Sequence, residues 1–150
     1  MSNSRDARGR FVGRGGGSGG GFSAQVASFG KGTADKVEAV RRGVTLKLFS
    51  AVVLDTPVLT GRLRGNWRIS EGQPVLDMTD RVDPSGGAVL AEVGAVVAKS
   101  KGDTTLFLSN SLPYARRIEY DGWSHTKAPE GMVRRNVARF NTLITVEAKR

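Results

Sequence analysis

The chain has 150 residues, with 23 Lys and Arg against 14 Asp and Glu, a formal charge of +9 and no cysteine. Disulfides and thiolate metal sites are therefore excluded, and the length favours one domain plus tails. No apolar run approaches the ~18–20 residues that span a bilayer, and the N-terminal arginines lead into no apolar stretch. A cytosolic, soluble protein is expected. The basic surplus implies an anionic counterpart, either nucleic acid or an acidic protein surface.

Met1 to Gly21 carries Arg5, Arg8, Arg10 and Arg14 around Phe11 and Val12, then seven small residues from Gly15 to Gly21. Glycine loses the most backbone entropy on ordering, and little here could be buried in return. Residues 1–22 are thus expected to form a flexible basic arm, and 23–150 a single α+β domain.

From Thr33, Val37, Val40, Val44, Leu48 and Val52 recur at spacings of three and four, which predicts a helix capped by Thr33 or Asp35 and ended by Pro57. Leu46, Phe49, Val53 and Leu54 widen its apolar stripe toward the end. After a turn at Pro57 to Gly61 the period becomes two. Leu63, Gly65, Trp67 and Ile69 alternate with Arg62, Arg64, Asn66 and Arg68, which predicts a strand. The three arginines would then stand about 7 Å apart on one face. Such a strip is an ordinary solvated face or a contact for DNA phosphates or an acidic subunit.

Val75 to Val82 is a weaker candidate strand, and Pro84 to Gly87 the turn after it. Val89, Ala91, Val93, Ala95 and Val97 alternate as a further strand, Thr105 to Ser109 forms a last short one, and Tyr114 to Tyr120 a short helix. Pro129 suits the first turn of a final helix, with Glu130 complementing its positive end and Val133, Val137, Phe140 and Ile144 as its stripe. The expected fold is an antiparallel sheet of about four strands against a long N-terminal helix and a C-terminal helix.

No catalytic constellation emerges. Gly15, Gly17 and Gly20 satisfy GxGxxG without the flanking strand and helix that the motif requires, and Gly30 to Thr33 lacks phosphate-loop spacing. His125 is the only histidine, and its neighbour Ser124 makes a weak catalytic pair. Asp77, Asp80 and Asp83 fit a solvated loop better than a calcium loop. No enzyme activity, cofactor or metal is expected.

Three ordered segments resemble the tail-completion proteins of long-tailed bacteriophages, head–tail joining neck proteins of the minor tail protein type. Thr56-Pro57-Val58-Leu59-Thr60-Gly61-Arg62-Leu63-Arg64 resembles the "TPVDTGxLR" signature after the first helix, with Leu59 in place of aspartate. Asn110, Pro113-Tyr114-Ala115 and Ile118-Glu119-Tyr120 through Gly122-Trp123 resemble "N…PYA..iEyG", with Asp121 inserted, and Ala128 to Val133 resembles "aP.GMv". The resemblance covers residues 37 to 144 around a variable middle. It implies a virion subunit, assembled in the host cytoplasm, that forms a ring of six at the neck around the DNA channel. Its partners would be copies of itself, the head-completion (connector) protein, and the tail terminator or tail tube, with non-specific contact to packaged DNA and no membrane. Contact residues would be Arg5, Arg8, Arg10, Phe11 and Arg14 in the arm, Arg62, Arg64 and Arg68 in the strip, and Tyr114, Glu119, Tyr120 and Trp123. Aromatic side chains of this kind suit interface cores. The rival expectation is a non-specific nucleic-acid-binding protein that uses the arginine-glycine arm.

Deleting Ser2 to Gly15 should leave the melting temperature unchanged and reduce the yield of joined particles. An unaltered particle yield in a complementation assay would make the arm a dispensable tail.

Overall fold

A computed structural model describes residues 20–149. Helix α1 runs Gly20–Asp55, followed by the helical turn α2 Arg62–Gly65, strand β1 Arg68–Glu71, helix α3 Gly87–Lys99, strand β2 Leu106–Ser109, and helices α4 Ala115–Tyr120, α5 Val133–Ala138 and α6 Phe140–Ala148. The chain divides into two units between Lys36 and Val37. The described part of the first is helical, with residues 30–36 exposed. Gly20 to Phe22, expected in the arm, belong to α1, while residues 1–19 of the expected arm lie outside the described residues. Thr33 and Asp35, expected as caps, lie inside α1, but the helix does stop before Pro57.

The second unit is α+β. Its sheet has two antiparallel strands, with Arg68 opposite Ser109 and Glu71 opposite Leu106. Helix α3 packs against β1 and α2. The core joins Val52 and Val53 of α1 to Leu63, Trp67, Val93 and Ile118, and extends to Ala128 and Met132.

One expected strand is a helix, and the first part of another is a helical turn that leads into β1, for one physical reason. Val89, Val93 and Val97 are buried, whereas the intervening Ala91 and Ala95 are exposed. A spacing of four fits both a two-residue and a 3.6-residue period, so the outer valines alone cannot distinguish strand from helix. The start of α3 decides it. Gly86 adopts φ 78, and the buried Asp83 carboxylate accepts the Val89 N–H at 3.1 Å. Asp83 is therefore a cap and not part of a solvated acidic loop. Leu63 and Trp67 are likewise four apart, and the chain from Arg62 to Gly65 is a helical turn. Val75 to Val82 forms no strand among the described residues.

That turn is held by side chains on its carbonyls. Asn66 Nδ2 donates to Arg62 O at 2.8 Å, Asn110 Nδ2 to Leu63 O at 2.8 Å, and Arg81 Nε to Gly65 O at 2.8 Å. Gly61 opens it at φ 94, and a Cβ there would lie 2.5 Å from Pro84 N. Only glycine meets both demands. Trp67, 3% exposed, donates its indole N–H to Thr56 Oγ1 at 2.7 Å, and Thr56 donates in turn to Val52 O at 2.7 Å. The relay ties the end of α1 to the start of the sheet.

The C-terminal helix also differs from expectation. Pro129 and Glu130 lie in a turn ahead of it, and the helix begins at Val133 and breaks at Arg139. Val137, Phe140 and Ile144, expected as a buried stripe, are exposed.

Trp67→Ala should destabilise the protein by about 3–5 kcal/mol, and Thr56→Val by about 1–3 kcal/mol through the orphaned indole N–H. Denaturant titration measures both, and a Trp67→Ala change that leaves the midpoint in place would refute the relay's importance.

Candidate functional site

The first two segments quoted above lie some distance apart in sequence and meet in the fold. The loop from Thr56 to Gly61, the α4 region and the loop from Trp123 to Lys127 enclose a cleft of about 580 Å³. Its walls include Pro57, Val58, Leu63, Tyr114, Ile118 and Trp123. Lys127 closes one side by donating from Nζ to Val58 O at 3.1 Å. Tyr114 and Trp123 meet edge to face with centroids 6.5 Å apart, and the Arg117 guanidinium stands 5.5 Å from the Trp123 centroid. Such contacts orient a large ring while leaving much of it open to solvent. Trp123 is 56% exposed, and Leu59 at the rim is 98% exposed.

Below the cleft, the α4 carboxylate of Glu119 fixes the third segment. Its oxygens accept the backbone N–H groups of Met132 at 2.6 Å, Val133 at 2.8 Å and Arg134 at 2.8 Å. These are the orphan donors at the start of α5, so Glu119 fills the role expected of Glu130. Gly131 takes φ 82 beside it, where a Cβ would lie 2.7 Å from Glu119 O. Burial opposes ionisation of Glu119. The N–H donors of Val133, Arg134 and Met132, with the Arg134 guanidinium, outweigh it and hold the carboxyl below its ordinary range. Glu119 is buried and turned inward, so the expectation of a partner contact at this residue is corrected to a structural cap.

The arginine strip does not form. Arg62 and Arg64 sit on the helical turn and Arg68 opens β1, so the three do not share one strand face. Arg62 faces Asp80 at 3.6 Å. Arg64 turns inward, donating to Pro84 O at 2.5 Å, Leu54 O at 2.8 Å and Thr56 O at 2.9 Å. It satisfies carbonyls at the end of α1, a structural task that leaves it unsuited to an outside anion.

Tyr114 and Trp123, both expected as contact residues, are together in the cleft. Tyr120 belongs to a smaller hollow of about 220 Å³ with Met132 and Val133, and Arg134 lies 5.2 Å from its ring centroid. Arg5, Arg8, Arg10, Phe11 and Arg14 lie outside the described residues. Sequence reasoning missed Leu59 and Lys127. The signal for Leu59 was its departure from the family's aspartate, an apolar side chain in a turn. Lys127 carried no signal, because its role depends on the folding of its loop over Val58. His125 is exposed in that loop, and no group of three His, Asp or Glu residues that could hold a metal occurs among the described residues. Comparison with protein-family models, curated proteins and solved structures found no match.

Because the folded-state pKa of Glu119 is depressed, its stabilisation is present above the unfolded value near ~4.3 and lost as pH falls through the folded value. Glu119→Gln should cost about 1.5–3 kcal/mol at neutral pH. The gap from wild type should narrow as pH drops below about 4. Melting curves from pH 7 to pH 3 check this, and a constant gap across the series would show that the carboxylate charge is not what caps α5.

Proposed function

We propose that this protein is a non-enzymatic virion subunit that joins the head of a long-tailed bacteriophage to its tail. The observation that carries this reading is that the first two family-like segments line one cleft, while the third is fixed to the second by the Glu119 carboxylate. Each segment has a physical task. Pro57 and Gly61 turn the chain out of α1, Tyr114 and Trp123 supply rigid amphipathic area, and Gly131 admits the Glu119 cap. A half-open apolar face of this kind suits assembly, since exposed apolar patches mark interaction sites.

The folded domain itself offers few arginines to a nucleic acid. Arg64 donates to backbone carbonyls and Arg81 to backbone carbonyls and the Glu92 carboxylate, while Arg41, Arg134 and Arg135 pair with carboxylates of their own chain. Formal charge therefore overstates the basic surface available to phosphates.

A null allele in the encoding virus should yield DNA-filled heads and finished tails that do not join, and purified protein added to the mixture should restore joining. Joined, infectious particles from the null would overturn the proposal. The free protein should be monomeric, because ring contacts in a neck depend on a preformed docking surface. Light scattering checks this, a stable hexamer at micromolar concentration being the contrary result. Firm retention on DNA at ~150 mM salt would favour the nucleic-acid rival.

A further inference from the structure

We propose that the cleft beneath Leu59 and Trp123 binds an acidic peptide segment with one bulky apolar side chain, contributed by the protein that this subunit meets in assembly. The inference rests on the joining role proposed above and adds the chemistry of the partner.

Three observations carry it. The cleft is lined mainly by apolar side chains, with Ile118 and Leu63 buried and Trp123 half open, which is the form of a pocket for a single anchor. Its one charged lining residue is Lys127, and no carboxylate lines it. Arg117 stands over Trp123 at the rim, and among the described residues neither Arg117 nor Lys127 forms an ion pair with a carboxylate. Lys127 uses one N–H on Val58 O and keeps two for an incoming acceptor.

Leu59 completes the arrangement. It is 98% exposed in a loop held between Pro57 and Gly61, so its position is set by the backbone and not by packing of its own side chain. An apolar anchor entering the cleft would bury Leu59 and Trp123 together. Carboxylates flanking that anchor would meet Lys127 and Arg117 at the rim, where charge sets the choice of partner. A basic or neutral segment would leave both cations unpaired, and a nucleic acid would supply charge but no aliphatic anchor.

Titration of the ¹⁵N-labelled full chain with a blocked hexapeptide, DELFDE, tests this through the two tryptophan indole N–H signals, assigned with Trp123→Phe. The Trp123 signal should move saturably while that of buried Trp67 stays fixed. KKLFKK and DEGSDE should leave both signals in place. Lys127→Glu should weaken DELFDE binding about tenfold and Leu59→Ser several-fold, with the Trp67 signal reporting an intact core in each variant. Absence of a shift at millimolar DELFDE, or equal binding of KKLFKK, would overturn the proposal. So would a stronger response to duplex DNA, which assigns the cleft to nucleic acid, or a shift on concentrating the protein alone, which assigns it to a second copy. The titration does not depend on particle joining, so its failure would leave the null-allele result standing. Binding in a protein whose null allele joins normally would instead overturn the joining role alone.

Discussion

The rest of the structure depends on how the carbonyls between Leu54 and Trp67 are satisfied. Over this stretch the chain leaves a helix, reverses and enters a sheet, so few of its backbone groups have regular partners. A buried carbonyl or N–H without one costs about 1–3 kcal/mol. Arg64 covers the end of α1, Asn66, Asn110 and Arg81 cover the turn, and the Trp67 indole reaches back to α1 through Thr56. Polar side chains are thus drawn into the centre of the domain, and the apolar core closes around them.

This arrangement redistributes the basic charge. Arg64 and Arg81 act as hydrogen-bond forks for backbone oxygens, a use that the planar guanidinium with its five donors suits better than lysine. Arg134 faces both Glu119 and the Tyr120 ring. What remains at the cleft is a small set of cations beside exposed apolar area, the composition on which the proposed peptide contact draws. The same turn that consumes Arg64 also presents Leu59.

Several features were legible in sequence for good physical reasons. Pro57 stops α1 because it removes a donor and restricts the preceding residue. The short strand at Leu106 to Ser109 and the helix from Ala115 to Tyr120 carry local patterns that burial did not need to override. Tyr114 and Trp123 stood out as contact residues and are together in the cleft. The arginine strip failed because alternation at Leu63 and Trp67 is equally the i, i+4 repeat of a helical turn. The valines of α3 misled in the same way, their β-branched side chains favouring a strand.

By itself, then, the sequence determined the mixed α+β class, the end of the first helix, the glycine turn at Gly61 and the prominence of Tyr114 and Trp123. Those are set by local chemistry, which any tertiary context must accommodate. Only the tertiary structure decided which residue caps α5, since Glu119 reaches donors more than a dozen positions away. It alone turned Arg64 inward and brought Lys127 to Val58, 69 residues earlier in the chain. Such pairings follow from the demand that buried polar groups be satisfied, and which side chain answers that demand depends on the path of the whole chain.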